Sequence, residues 1–259
     1  MSSATVHSPA AGQASRHPEP RATPAHASIT RDHALAWSMA VLLVAGSIAF
    51  LAGGRVHPAI GASLGGGADA FFQAFADKVR HTHGWHAMHL LILAGPLCWA
   101  VAAPALLDAR RAEARTLISA ARSALLLSGA LWAVAFVLDG FGAPVYADAI
   151  AASPGDAGIL VSFRANAVMM SRLGLVSWIA GGLGMVGLAL ALPGARPRSA
   201  WTVAVTIAGI AIGLWPLLAA IEGEYAAGPF TSSWWRPNAI AVALWYVVLA
   251  ASLLRGVRR

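Results

Sequence analysis

Residues 81–90 read HTHGWHAMHL and hold four of the chain's nine histidines. His86 and His89 stand three apart, so on a helix they share one face. Two imidazoles on one face suit a transition metal, and carboxylates from elsewhere could complete its shell. Asp139 in VLDGFGAP and Glu222 in AIEGEY are the acidic candidates. A nitrogen and oxygen donor set of this kind fits copper or zinc. The same groups suit a second chemistry. Histidine titrates near neutral pH, so His89 and Asp139 could relay a proton while Arg172 holds an anionic ligand.

Other chemistries lack their residues. There is no HExxH, no paired ExxH, no GxSxG elbow, no P-loop and no dinucleotide fingerprint. The single cysteine, Cys98, lies in an apolar run, which rules out an intrachain disulfide and a CxxC redox pair. No reaction is indicated, so whether the chain is an enzyme stays open.

The elements that must position these groups follow from composition. The chain has 259 residues, 58% hydrophobic and only 11% charged, with a mean hydropathy of +0.66. A soluble domain is about half apolar and a quarter charged, so the expected solvent is lipid. Apolar runs recur at membrane length, about 20 residues for a core of about 30 Å. They fall at 34–53, 86–107, 117–138, 168–192, 201–221 and 238–254. The expected fold is an all-α, six-helix transmembrane bundle. The last four runs contain no histidine, which argues against a bis-histidine haem inside the bundle. Residues 1–33, rich in Pro, Ala, Ser and His, read as a disordered cytoplasmic tail, and 34–259 as the membrane domain.

The net charge of +7 does not indicate nucleic acid, because the basic residues sit in the breaks between apolar runs. There they orient a membrane protein. With the N-terminus inside, twelve basic residues face the cytoplasm: Arg16, Arg21, Arg31, Arg110, Arg111, Arg115, Arg122, Arg196, Arg198, Arg255, Arg258 and Arg259. Six face outward: Arg55, Lys78, Arg80, Arg164, Arg172 and Arg236. Both termini are therefore expected inside, N-in/C-in. That orientation gathers His57, His81, His83, His86 and His89 outside, with Asp69, Asp77, Asp139, Asp148, Asp156, Glu222 and Glu224. Ionisable groups at membrane depth usually face a bundle interior or a wet cavity. An outward-facing His/carboxylate pocket is the expected site.

Three further readings concern packing. ADAFFQAFADKVR spaces Phe71, Phe75 and Val79 four apart against charged positions, the pattern of an amphipathic interfacial helix in the first outer loop. Ser177, Gly181 and Gly184 form a small-residue stripe, and Gly209 and Gly213 a GxxxG pair, for close helix contact. Trp99, Trp132, Trp178, Trp215 and Trp245 fall deep in the runs and are expected between helices.

GWHAMHLLILAGPL, LDGFGAPVYADAIAASP and GLALALPGARPR, with a closing span followed by arginines, carry a resemblance. Over about two thirds of the chain it resembles a broad group of uncharacterised multi-pass bacterial membrane proteins. The resemblance implies a six-helix bundle in a bacterial inner membrane and brings no site residues. The second span also looks like the HxxHLL helix of copper-associated membrane proteins linked to cytochrome oxidase assembly, although that family's other histidines are missing here.

Three functions stay open. The first is metal binding by His86, His89, Asp139 and Glu222. The second is a small proton-coupled carrier using His89, Asp139 and Arg172. The third is a structural or accessory subunit beside a membrane-protein partner, in which Asp139 pairs with Arg172 across a helix interface. The oligomeric state is not indicated.

Overall fold

A computed structural model describes residues 25–57, 67–108, 114–193, 199–221 and 235–255. Every regular element among them is helical. In chain order these are α1 (Ala25–Val56), α2 (Gly67–His81), α3 (Trp85–Asp108), α4 (Arg115–Val137), a π-helical turn (Leu138–Gly142), α5 (Ala143–Ala152), α6 (Ala157–Ala191), α7 (Ala200–Ile221) and α8 (Trp235–Arg255). Six stretches are long and apolar enough to cross a membrane: α1 from His33, α3, the continuous run from Arg115 to Ala152, α6, α7 and α8. This is the pattern of a multi-pass membrane protein.

The six long helices close into a ring in chain order. α1 packs on α3, α3 on α4, α4 on α6, α6 on α7, α7 on α8, and α8 returns to α1. Small residues set the contacts. A Cβ on Gly46 would lie 2.4 Å from that of Cys98, and one on Gly53 would lie 2.8 Å from the Met88 carbonyl, so α1 rides directly on α3. The expected stripe on α6 meets α4: Ser177 donates to the Ser128 carbonyl, Gly181 faces Ser128 and Gly184 faces Leu125. Gly213 crosses α6 at Gly182, where an added Cβ would lie 2.1 Å from the Gly213 carbonyl. Gly209 seats the Trp245 ring.

The proline inside α7 comes with a partner. Pro216 has no N–H for the Ile212 carbonyl four residues back. The fully buried Asn238 of α8 donates its Nδ2 to that carbonyl and accepts the Trp178 indole N–H through Oδ1. One side chain thereby joins α6, α7 and α8. Trp99, Trp132, Trp178 and Trp245 are buried between helices as expected, whereas Trp215 is 37% exposed on α7. On the opposite end of the bundle from His89, Arg122 pairs with Asp108 of the preceding helix.

Several boundaries differ from the hydropathy runs. α1 begins at Ala25, inside the expected tail; residues 1–24 and the glycine-rich stretch at 58–66 lie outside the described residues. The third span does not stop at residue 138. It continues through the π turn to Ala152, a 38-residue run of about 57 Å against a core of about 30 Å. α6 starts at Ala157 rather than 168, with Asp156 capping the Gly158 and Ile159 amides. A run broken by charge ends a hydropathy window, but the backbone continues where neighbouring helices cover it.

α2 covers part of that extension. Phe75, Ala76 and Val79 are buried, while Asp69, Asp77, Lys78 and Arg80 are exposed, so the expected amphipathic helix is present. Its apolar face packs on α5 and α6, where Phe75 stacks on Phe163. Arg80 pairs with Asp148 of α5, and the His81 ring contacts Asp77 one turn back. Gly84, at φ +73°, turns the chain sharply from α2 into α3, a conformation glycine adopts without strain.

Candidate metal centre

The π turn is the element that makes the site. In an α-helix the Ala143 amide would bond the Asp139 carbonyl, four residues back. Here it bonds the Leu138 carbonyl instead, five residues back. Pro144 explains the change, since its ring clashes with the carbonyl four residues before it and it has no N–H to give Gly140. The freed Asp139 carbonyl accepts the Trp85 indole N–H at 2.9 Å. The Leu138 carbonyl also receives the Asn166 amide at 3.2 Å. Such π turns are frequent at functional sites.

Gly140 lets this turn approach α3. A Cβ there would lie 2.9 Å from the Cβ of His89. The close contact brings Asp139 Oδ2 to 2.9 Å from His89 Nε2. His89 is 1% exposed and Asp139 6%. The other ring nitrogen of His89, Nδ1, lies 2.7 Å from the Trp85 carbonyl. A carbonyl only accepts, so Nδ1 carries a hydrogen. A second proton must then lie between Nε2 and Oδ2, given by the imidazolium to the carboxylate or by the carboxylic acid to the ring. Trp85 thus holds both partners, His89 through its carbonyl and Asp139 through its indole.

His57, one residue past α1, completes a cluster. One ligand atom each from His57, His89 and Asp139 lies within 4.8 Å of the others. The His57 ring stands 5.3 Å from that of His89 and 5.6 Å from that of Trp85, centre to centre. Its amide still bonds the Gly53 carbonyl, so α1 carries it in helical register. Gly53, pressed against α3, fixes the approach. Phe136 closes the floor at 5.6 Å from the His89 ring.

One atom in this cluster stands out. Asp139 Oδ1 is buried and has no hydrogen-bond partner among the described residues. A buried carboxylate oxygen without a partner is costly and rare.

The structure brings together only part of the residue set read from the sequence. His89 and Asp139 meet. His86 is exposed, with its ring 5.0 Å from that of Phe141, and lies outside the cluster. Being three residues from His89 puts it on a neighbouring part of the helix, but the side chain faces out from the seam. Glu222 lies outside the described residues. The helix leading to it, α7, packs on α6 and α8, across the ring from α3. Arg172 is exposed on α6, and the ion partner of Asp139 is His89 instead. His57 enters in their place. The clue to it was RVHP, where a histidine stands just beyond the first apolar run.

No protein-family model, curated protein or solved structure matches this chain. The resemblances drawn from the motifs therefore add nothing to the geometry, which has to carry the functional reading alone.

Proposed function

We propose that this multi-pass membrane protein binds a transition-metal ion through His57, His89 and Asp139. The observation that carries this reading is the orphaned Oδ1 of Asp139, buried beside two imidazoles. A cation held by both carboxylate oxygens gives Oδ1 a partner and takes the place of the proton between Oδ2 and His89 Nε2. The Trp85 carbonyl then acts as an outer-shell acceptor. It fixes the His89 tautomer so that the Nε2 lone pair faces the ion.

The donor set narrows the ion. Two imidazoles and one carboxylate suit Zn²⁺, Cu²⁺ or Fe²⁺, and the absence of thiolate from the cluster argues against Cu⁺. Ligand atoms around a tetrahedral ion with bonds near 2.0–2.1 Å sit about 3.3 Å apart. The cluster, at up to 4.8 Å, closes by about 1.5 Å at most. Three protein donors leave a coordination position for water or an incoming ligand.

Arginine asymmetry supports an orientation with the site toward the outside of a bacterial inner membrane, both termini being cytoplasmic. α2 then lies along the outer surface beside the site.

Metal content of the purified protein tests the reading. After Zn²⁺ or Cu²⁺ loading and dialysis, wild type retains about one ion per chain, while His89→Ala and Asp139→Ala retain almost none. Equal, background-level content in all three would end the proposal.

A further inference from the structure

Two helices outrun the membrane on the side of the metal centre. The run from Arg115 to Ala152 measures about 57 Å and α6 about 52 Å, against a hydrocarbon core of about 30 Å. Tilt does not absorb the excess. Fitting about 57 Å into about 30 Å needs a tilt of about 58°, and spanning helices tilt by at most about 40°. Charge shows where each helix leaves the lipid. α6 has no ionisable residue from Leu173 to Ala191, about 28 Å, and α4 has none from Ser123 to its end. Arg172 bounds the stretch on α6. It is exposed, and Val176, Leu183 and Leu190 follow it at steps of four and seven on the same side of the helix, each about half exposed.

Beyond Arg172 the exposed surface changes character. Arg164 on α6, Asp148 on α5 and Asp77, Lys78 and Arg80 on α2 are all exposed. Arg80 and Asp148 join α2 to α5 while their side chains stay 41% and 77% exposed. Charges so placed are costly against lipid tails. Val145 and Val161, the most exposed apolar side chains there, each stand three residues from a charge, Asp148 and Arg164. Single exposed apolar residues of that kind are ordinary on a wet surface. The apolar face of α2 needs no lipid either, because α5 and α6 cover it.

We infer that α2, α5 and the first turns of α6 form a water-facing cap on the membrane surface, with Arg172 meeting the lipid phosphates at its base. An exposed guanidinium suits that partner. It pairs with phosphate through two parallel N–H···O bonds, and its apolar stem lies along the edge of the belt. The His89–Asp139 pair belongs to the cap side. Ser177 of α6 meets Ser128 of α4, and Asn166 meets Leu138, so Arg172 lies level with the middle of residues 128–138. Asp139 stands beyond that level, and His89 with it, so protein rather than hydrocarbon shields the pair. The inference depends neither on metal binding nor on which compartment the cap faces.

Spin labels at exposed positions test it, on the whole chain in nanodiscs of phosphatidylcholine and phosphatidylglycerol. Cys98→Ser removes the native thiol, and Cys98→Ala serves if that variant does not fold. Val145→Cys, Val161→Cys, Val168→Cys, Val176→Cys and Leu183→Cys then carry the label one at a time; all five positions are exposed. Collisions with oxygen, which concentrates in hydrocarbon, are compared with collisions with a water-soluble nickel chelate. Labels at 145 and 161 are expected to favour the chelate, and labels at 176 and 183 oxygen. Collisions with nickel carried on lipid headgroups are expected to peak at 168 or 176, the turns on either side of Arg172. A preference for oxygen at 145 or 161 would overturn the inference, since the cap would then lie in lipid. So would weak collisions with both reagents there, the sign of a covering partner, a preference for the chelate at 176 or 183, or a headgroup peak at any other position.

Discussion

His89 and Asp139 stand 50 residues apart in the chain and meet at 2.9 Å inside the bundle. The contact needs a backbone that leaves α-helical register at Asp139 and a glycine that lets it touch α3. Asp139 is therefore neither a helix terminus nor a lipid-facing residue but half of a buried pair.

Breaking that pair on one side leaves the other uncompensated. His89→Ala is expected to cost about 3 kcal/mol of stability. The double variant His89→Ala/Asp139→Ala should cost clearly less than the sum of the two single changes. Unfolding by SDS in bicelles measures this, and strict additivity would mean the pair contributes nothing.

Gly140 and Gly142 flank the same turn but face different neighbours. Gly140→Ala drives a methyl into His89 and is expected to cost about 1–3 kcal/mol and to impair metal retention. Gly142→Ala meets Asn166 Oδ1 at 3.6 Å, an ordinary contact, and should be close to neutral. Comparing unfolding midpoints and metal content of the two variants tests the approach of the turn to α3.

Asn238→Leu strips partners from the Trp178 indole and the Ile212 carbonyl, an expected loss of about 1–2 kcal/mol. Pro216→Ala restores an N–H four residues beyond Ile212. In that background the cost of Asn238→Leu should shrink. An unchanged cost would show that the carbonyl freed by proline is not what Asn238 serves.

Orientation has its own test. A cytoplasm-active reporter fused after Arg259 is expected to be active, and a periplasm-active reporter at the same position silent. The reverse pattern would turn the metal centre toward the cytoplasm.

The spans were legible because a lipid core demands long apolar runs, and each of the six runs falls on one of the long helices, the fourth passing the end of α6 by one residue. What hydropathy could not carry was the backbone beyond those runs. LDGFGAP reads as a break, since a charge and two glycines interrupt the apolar stretch. The helix survives there because Ala143 bonds Leu138, while Trp85 takes up the freed Asp139 carbonyl and Asn166 adds a second bond to that of Leu138. Those partners come from α3 and α6, and local sequence does not specify them. The site was half legible for the same reason. Spacing on one helix suggested His86 with His89, but which side of α3 faces the bundle depends on the order of helices in the ring. That order makes α1 the neighbour of α3, bringing His57 in and leaving α7, with Glu222 beyond its end, on the far side.

Counting the ligands on the bound ion tests the central claim most directly. X-ray absorption of the Zn²⁺-loaded protein is expected to fit two imidazole nitrogens near 2.0 Å with carboxylate oxygen. One imidazole should be lost in His57→Ala, and both retained in His86→Ala. A spectrum unchanged by His57→Ala, or one that loses an imidazole on His86→Ala, would contradict a centre built from His57, His89 and Asp139.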